Sequence, residues 1–429
     1  MTTAEYRLPG LHVREHHVTV PLDWSRPAGS TIEVFVRELS DPDRHPDDRP
    51  LLAYLEGGPG GSNPRPLDRS GWLDEALRDY RVVLVDQRGT GRSHPVEGAD
   101  LVGFPDGEAA ADHLALFRAD SIVRDLERVR ADIYGGQRWS TFAQSYGGFI
   151  TLTYLSHAPE ALAAAYVAGG IPALPASAAE VYRRTFTRVA AKTAEHYRRY
   201  PQDVAAVSAV ADRLGEGDVE LPDGDLLTVW RFQSIGVDLG MKPGFERLHW
   251  LLEKAFVRPG RLSDAFLSEC LTRTSSAANP LFWTLQESIY GDGDNGPLGW
   301  AAQQERDRRP EFGPERRPLL FTGEMAFPWM FEQVRLLRPF APAAHALAAR
   351  ASWSRLYDPE RLAANEVPLA AAVYYDDLYV DAHLQLDTLS RIGSAQAWVT
   401  NELEHDGIVS GRVLTHLRTL VRDRGGERH

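Results

Sequence analysis

Short apolar runs, each broken off by a glycine-rich loop, are the feature that most narrows what this chain can fold into. "PLLAYL" (50–55) runs into "EGGPGG" and "YRVVLV" (80–85) into "DQRGTGRS". Further on, "RWSTFAQ" leads to Ser145, and "AAAYVAGGIP" occupies 163–172. A strand apolar at every position has to be covered on both faces, as in a parallel sheet sandwiched between helices. Helical spacing of apolar residues over 119–135 and 148–162, the latter ended by Pro159, supplies such covers. Earlier, 16–24 and 31–39 alternate with period two about a Pro/Gly turn and predict a hairpin.

Beyond about residue 175 the periodicity becomes helical, and buried-strand runs return only at 367–377 and 395–401, before a closing helix at 412–423. The expectation is an α/β chain: core residues 1–174, a helical cap 175–345 over the carboxyl ends of the strands, and core residues 346–429. A length of 429 residues, too great for one compact core of usual size, agrees with such an insertion. The formal charge of −13 disfavours nucleic acid and anionic lipid and favours cationic ligands such as free amines. Cys270 is the single cysteine, so no internal disulfide forms, and no Cys/His set has zinc spacing. No basic-then-apolar leader opens the sequence, and no window approaches eighteen consecutive apolar residues. These features predict a cytoplasmic protein with no cofactor, metal, membrane or nucleic-acid partner.

"FAQSYGGF" (142–149) is nearly the Gly-x-Ser-x-Gly turn that presents a serine between a strand and a helix, with Ala143 in place of the first glycine. A nucleophilic Ser145 requires a base, an acid orienting that base, and donors for an oxyanion, in the chain order Ser, Asp/Glu, His. Four histidines follow the returning strand. His416 falls in the last helix, His383 in the helix between two strands, and His429 is terminal, so His405, in the loop after the final strand, is the candidate base. "VYYDDLYVD" offers Asp376 and Asp377 as the acid; neighbours point oppositely, so one faces His405 and the other is free to cap a helix. The oxyanion donors are expected from the Tyr146 N–H and from "GGPGG", where Pro59 has no N–H and Gly58 is preferred to Gly60. "GGPGG" lacks the Lys-Ser/Thr of a phosphate loop. "DQRGTGRS" lacks dinucleotide spacing and reads as a turn in which Asp86 and Arg88 pin neighbouring loops.

"GGPGG", "DQRGTGRS", "QSYGG" and the late His loop together resemble proline iminopeptidases (prolyl aminopeptidases), serine peptidases of the α/β-hydrolase fold with a helical cap. The resemblance spans roughly residues 15–425, and "VYYDDLYVD" and "WVTNELEHDG" look like the family's longer branch. It implies Ser145 as nucleophile, Asp377 as acid, with Asp376 still open, and His405 as base. It also implies a cap glutamate that grips the substrate's free N-terminal amine: Glu324 in "FTGEMAFPWMF", or secondarily Glu287 in "LQESIYG". A carboxylate in a dry pocket pairs strongly with an ammonium and rejects blocked N-termini; a structural salt bridge is the less favoured use of Glu324. Phe327, Trp329 and Phe331 either line a slot for a proline ring or pack the helices. Glu56 stands where many members carry histidine. The implied activity is release of an N-terminal residue, preferably proline, from a small peptide through an acyl-enzyme. A broader aminopeptidase or an esterase with the same three residues is the alternative, and a catalytically dead ligand-binding fold is a more distant one. Epoxide hydrolases and dehalogenases need aspartate at 145. Ala143 adds only one methyl where backbone approaches closely, a small departure from the motif.

Overall fold

The computed structural model describes residues 2–43 and 49–427. Eleven strands follow in chain order: β1 (Thr2–Leu8), β2 (Leu11–Pro21), β3 (Thr31–Ser40), β4 (Leu51–Leu55), β5 (Arg81–Val85), β6 (Trp139–Gln144), β7 (Leu162–Ala168), β8 (Phe256–Arg258), β9 (Arg261–Leu262), β10 (Leu369–Tyr374) and β11 (Ala395–Thr400). Nine of them form one sheet in the order β1-β2-β3-β5-β4-β6-β7-β10-β11. From β5 to β11 the pairing is parallel, and β1, β2 and β3 add an antiparallel edge. The expected hairpin is β2–β3, and β10 slots between β7 and β11 although about 200 residues separate it from β7 in sequence.

The apolar runs are buried on both faces because alternate residues serve different cores. Leu51, Ala53, Leu55, Val83, Val85 and Val167 pack with Ile122, Leu126 and Ile150 of helices Ala119–Tyr134 and Tyr146–His157. Leu52, Tyr54, Val82, Leu84, Tyr166 and Ala372 face the other way, against helices Gly71–Ala76 and Gly411–Arg422. The latter helix buries Val413, Leu414, Leu417 and Val421, each contributing about 1.5–3 kcal/mol relative to exposure. The turn after β5 is pinned much as its sequence suggests. Arg88 pairs with Asp125 at 2.6 Å and donates to the carbonyls of Leu22, Leu116 and Pro21. Asp86 receives Arg65 and the N–H groups of Asn63 and Arg92.

Between Ala178 and Ala349 the regular structure of the described residues is helical, apart from the β8–β9 hairpin and a bridge between Glu220 and Leu226. This segment rests on the loops at the carboxyl ends of the strands. Asn279 donates to the Pro59 carbonyl at 3.4 Å, Lys192 pairs with Glu404 at 2.6 Å, the Lys242 N–H meets Asp406 at 3.1 Å, and the Tyr379 hydroxyl donates to the Val237 carbonyl. At the opposite end of the sheet, the Glu427 carboxylate accepts the Tyr166 hydroxyl at 2.7 Å, the Ser140 hydroxyl at 2.9 Å and the Tyr80 hydroxyl. Burial there pushes its carboxyl up to about 7. No helix among the described residues is long and apolar enough to cross a membrane.

Candidate active site

Ser145 stands between β6 and its helix with φ +53° and ψ −124°, a conformation that non-glycine residues rarely adopt and that surrounding structure has to impose. Its N–H donates to the Ala168 carbonyl of β7, and its own carbonyl accepts the Gly148 N–H at 2.8 Å. Two glycines make room for this turn. A Cβ on Gly148 would stand 2.1 Å from the Gly170 carbonyl oxygen, and one on Gly170 would stand 2.2 Å from that of Ser145. Ala143, by contrast, belongs to the body of β6, paired with Leu55 and Val167 and wholly buried. Its methyl fills core space rather than crowding the turn.

His405 opens a short 3-10 turn after β11 and is buried. Its Nδ1 lies 2.8 Å from Asp377 Oδ2, and its ring meets Tyr379 edge-on with centroids 4.6 Å apart. Asp377 Oδ1 meanwhile accepts the N–H groups of Tyr379 at 2.8 Å and Val380 at 3.0 Å. Those bonds fix the carboxylate so that its second oxygen points at the imidazole. Burial by itself would lower the His405 pKa. The Asp377 charge and hydrogen bond, helped by Glu324 and Asp406, overcome it and hold the ring above the ordinary imidazole value. Asp376 turns outward to Arg188 at 2.9 Å, and the helix that follows is capped by Asp381, not by either aspartate of the pair. Gln144 links the two halves, its amide 3.4 Å from the His405 carbonyl. His416 and His383 lie in the helices Gly411–Arg422 and Ala382–Leu389, while His429 is outside the described residues.

Tyr146 is the first residue of its helix, where an N–H has no partner within the helix. The loop after β4 comes up beside it. A Cβ on Gly57 would stand 3.1 Å from Ser145 Cβ, whereas Gly60 turns away toward Asn279 and Leu281. Gly58 bends this loop at φ +116°, which glycine alone accepts readily. Glu56 Oε1 receives the Gly57 N–H at 2.8 Å, so this residue, out of pattern for the resemblance, ties down its own loop. Burial raises its pKa.

Glu324 lies close enough to His405 and Asp377 for their charges to bear on it, and its carboxylate receives a hydrogen bond from Gln286. Burial pushes its pKa up to about 7, with His405 pulling down and Asp377 pushing up. Glu287 has a different employment. Its two oxygens accept the N–H groups of Ala301 and Ala302, each at 3.0 Å, capping helix Ala301–Asp307, and burial pushes it to about 7 despite those bonds. Phe327 and Trp329 are packed among other side chains. Phe327 has no exposed surface, stacks with Trp329 at 6.0 Å and lies beneath the Arg306 guanidinium, while Phe331 packs on Trp300. These aromatics pack in the interior of the helical segment. Tyr379, Gln286, Gly169 and Gly170 go unsingled in the sequence. Each acts through a contact distant in sequence, and only the glycine pair closing "AAAYVAGG" carries a local signal.

The arrangement is a strained serine beside main-chain N–H groups, a buried imidazole held by a carboxylate, and a nearby carboxyl that burial pushes up to about 7. Such a set can attack a carbonyl and hold a cation next to it. Comparison with known proteins accords with this chemistry. Residues 50–323 match the family model described as alpha/beta hydrolase fold. A proline iminopeptidase of Aeromonas sobria is 44% identical over 97% of this chain and 98% of its own length. The proline iminopeptidase aneH of Aspergillus aculeatus is 34% identical over 96% of this chain and 94% of its own length. The chain thus belongs to the proline iminopeptidase family of α/β-hydrolase-fold enzymes.

Proposed function

We propose that this enzyme removes the N-terminal residue, preferably proline, from small peptides with a free N-terminus, using Ser145, His405 and Asp377. The observation that carries the reading is the 2.8 Å His405–Asp377 contact with the Glu324 carboxyl in the same electrostatic neighbourhood. His405 Nε2 takes the Ser145 hydroxyl proton as Oγ attacks the scissile carbonyl, and the N–H groups of Gly58 and Tyr146 hold the oxyanion. His405 then gives that proton to the departing nitrogen, leaving an aminoacyl ester on Ser145. Water, deprotonated by the same ring, hydrolyses the ester and frees the amino acid. Glu324 pairs with the substrate's ammonium, and the helical segment 175–345 acts as the cap that shelters this pair from water. A cytoplasmic location is part of the proposal, since the single buried Cys270 gives the fold no internal disulfide to make. The test is a panel of prolyl, alanyl and leucyl arylamides, free and N-acetylated, with Ser145→Ala alongside. Fastest turnover of the free prolyl compound, lost in Ser145→Ala, supports the reading. Preference for alanine or leucine refutes the proline claim, and equal turnover of blocked substrates points to an esterase.

A further inference from the structure

Strand order lays the site out along the carboxyl edge of the sheet. Asp377 and His405 follow β10 and β11 on one side of Ser145, with Glu324 beside them, and the loops after β4 and β5 lie on the other side. On that second side a groove of about 550 Å³ opens between core and helical segment. Gly60, Thr90 and Gly91 line it from the core, and Ala277, Arg335 and Leu336 from the helical segment. Arg335 is exposed, and its guanidinium makes no hydrogen bond or ion pair among the described residues; only its main-chain N–H is engaged, with Asp225 at 2.7 Å. The other charged residue of the lining, Glu97, is occupied in accepting the Asp100 N–H.

A peptide held by its ammonium at Glu324, with its first carbonyl over Ser145, has to continue past the loop that holds Gly58. A Cβ on Gly57 would stand 3.1 Å from Ser145 Cβ, and residues 57–61 fold back so tightly that a Cβ on Gly61 would stand 2.7 Å from the Gly57 oxygen. A turn of this kind spans less than about 7 Å, which an extended chain crosses in about two residues at about 3.3 Å each. Gly60, two positions past Gly58, belongs to the groove lining, so a departing chain that crosses this loop enters the groove on its far side. In a chain of net charge −13, an unpaired guanidinium at this point offers an anionic chain end a local complement. We propose that the groove binds the departing peptide from its second residue onward, and that Arg335 pairs with the free α-carboxylate of short substrates. This rests on the aminopeptidase reading above. The small residues of the lining leave little to select among side chains, so recognition falls on length and on the terminal charge.

The test compares Pro-Ala, Pro-Ala-Ala and Pro-Ala-Ala-Ala, each as free acid and as C-terminal amide, with prolyl arylamide as the substrate that does not reach the groove. The expected result is an acid-over-amide preference of about fivefold in kcat/KM for the longer peptides, carried by KM and absent from Pro-Ala. Arg335→Glu should reverse the preference, and Ala277→Trp, which fills the groove, should abolish the length dependence. Equal use of acid and amide at every length, or an acid-to-amide ratio untouched by Arg335→Glu, overturns the groove while prolyl arylamide is still cleaved. Absence of Ser145-dependent arylamide cleavage overturns the aminopeptidase reading and this inference with it.

Discussion

A carboxyl held near pH 7 beside an imidazole held above its ordinary value gives the reaction two protons to lose before it can start. In the proposed reaction His405 acts as a base only when neutral and Glu324 grips the ammonium only when ionised, so kcat/KM should fall as the pH drops through both groups. On the alkaline side the substrate's own amine, ordinarily near about 8, must keep its proton. A bell-shaped profile is expected, its acid limb set by Glu324 and His405 and its alkaline limb by the substrate amine, measurable on prolyl arylamide in buffers of constant ionic strength. Glu324→Gln should raise KM roughly 10- to 100-fold, the worth of a charge-assisted hydrogen bond. It should also move the acid limb to lower pH, because Glu324 helps to hold the proton on His405. Ala143→Gly, which restores the usual motif, should lower stability by roughly 1–2 kcal/mol through a lost buried methyl and a looser strand, with kcat little changed. Denaturant unfolding and turnover read the two effects separately. The strained turn at Ser145 and the loop position of His405 are legible at this scale because turn chemistry and chain order restrict them without reference to the fold. Strand alternation left Asp376 and Asp377 open, and the hydrogen bonds from Tyr379 and Val380 are what orient Asp377. Glu287 and the Phe327–Trp329 pair are harder to read from sequence, since a capping carboxylate and packed rings need the same apolar surroundings as an amine pocket.

Elements constrain the site more severely than single side chains do. The serine turn depends on β6, its helix and the Gly169–Gly170 corner approaching almost to backbone contact. Gly148→Ala should therefore cost at least about 2 kcal/mol and lower kcat as well, because the methyl meets main chain that has nowhere to go. Thermal unfolding combined with active-site titration would show both losses. Lys192, buried on helix Ala178–Arg199, is the ion partner of Glu404, the residue before His405. Lys192→Met leaves that carboxylate without its cation, with an expected loss of about 3 kcal/mol. The apolar runs revealed the strands and the helical spacing revealed their covers, because each periodicity is set locally. Strand order was another matter. Nothing within "VPLAAAVYY" says that it inserts beside a strand laid down about 200 residues earlier.

Across the whole molecule, the Glu427 carboxyl held by Ser140, Tyr80 and Tyr166 couples the far end of the sheet to pH. Its folded pKa of about 7 lies above that of a free glutamate. The folded state thus binds its proton more tightly than the unfolded state, and this contribution to stability, full at low pH, is lost as the pH rises toward 7. Glu427→Gln should raise the Tm more at pH 8 than at pH 5, and a scan at the two values checks it. The late arrival of β10 also sets a condition on synthesis. Until Leu369–Tyr374 leaves the ribosome, the apolar strand β7 has one side with no partner, and about 200 residues at about 5–20 per second leave it so for roughly 10–40 seconds. A nascent chain halted before β10 should display an open, sticky edge and recruit chaperones or aggregate. Proteolytic activity should likewise be absent until the last strand and the loop carrying His405 have emerged, which spares a half-made peptidase from acting on its neighbours.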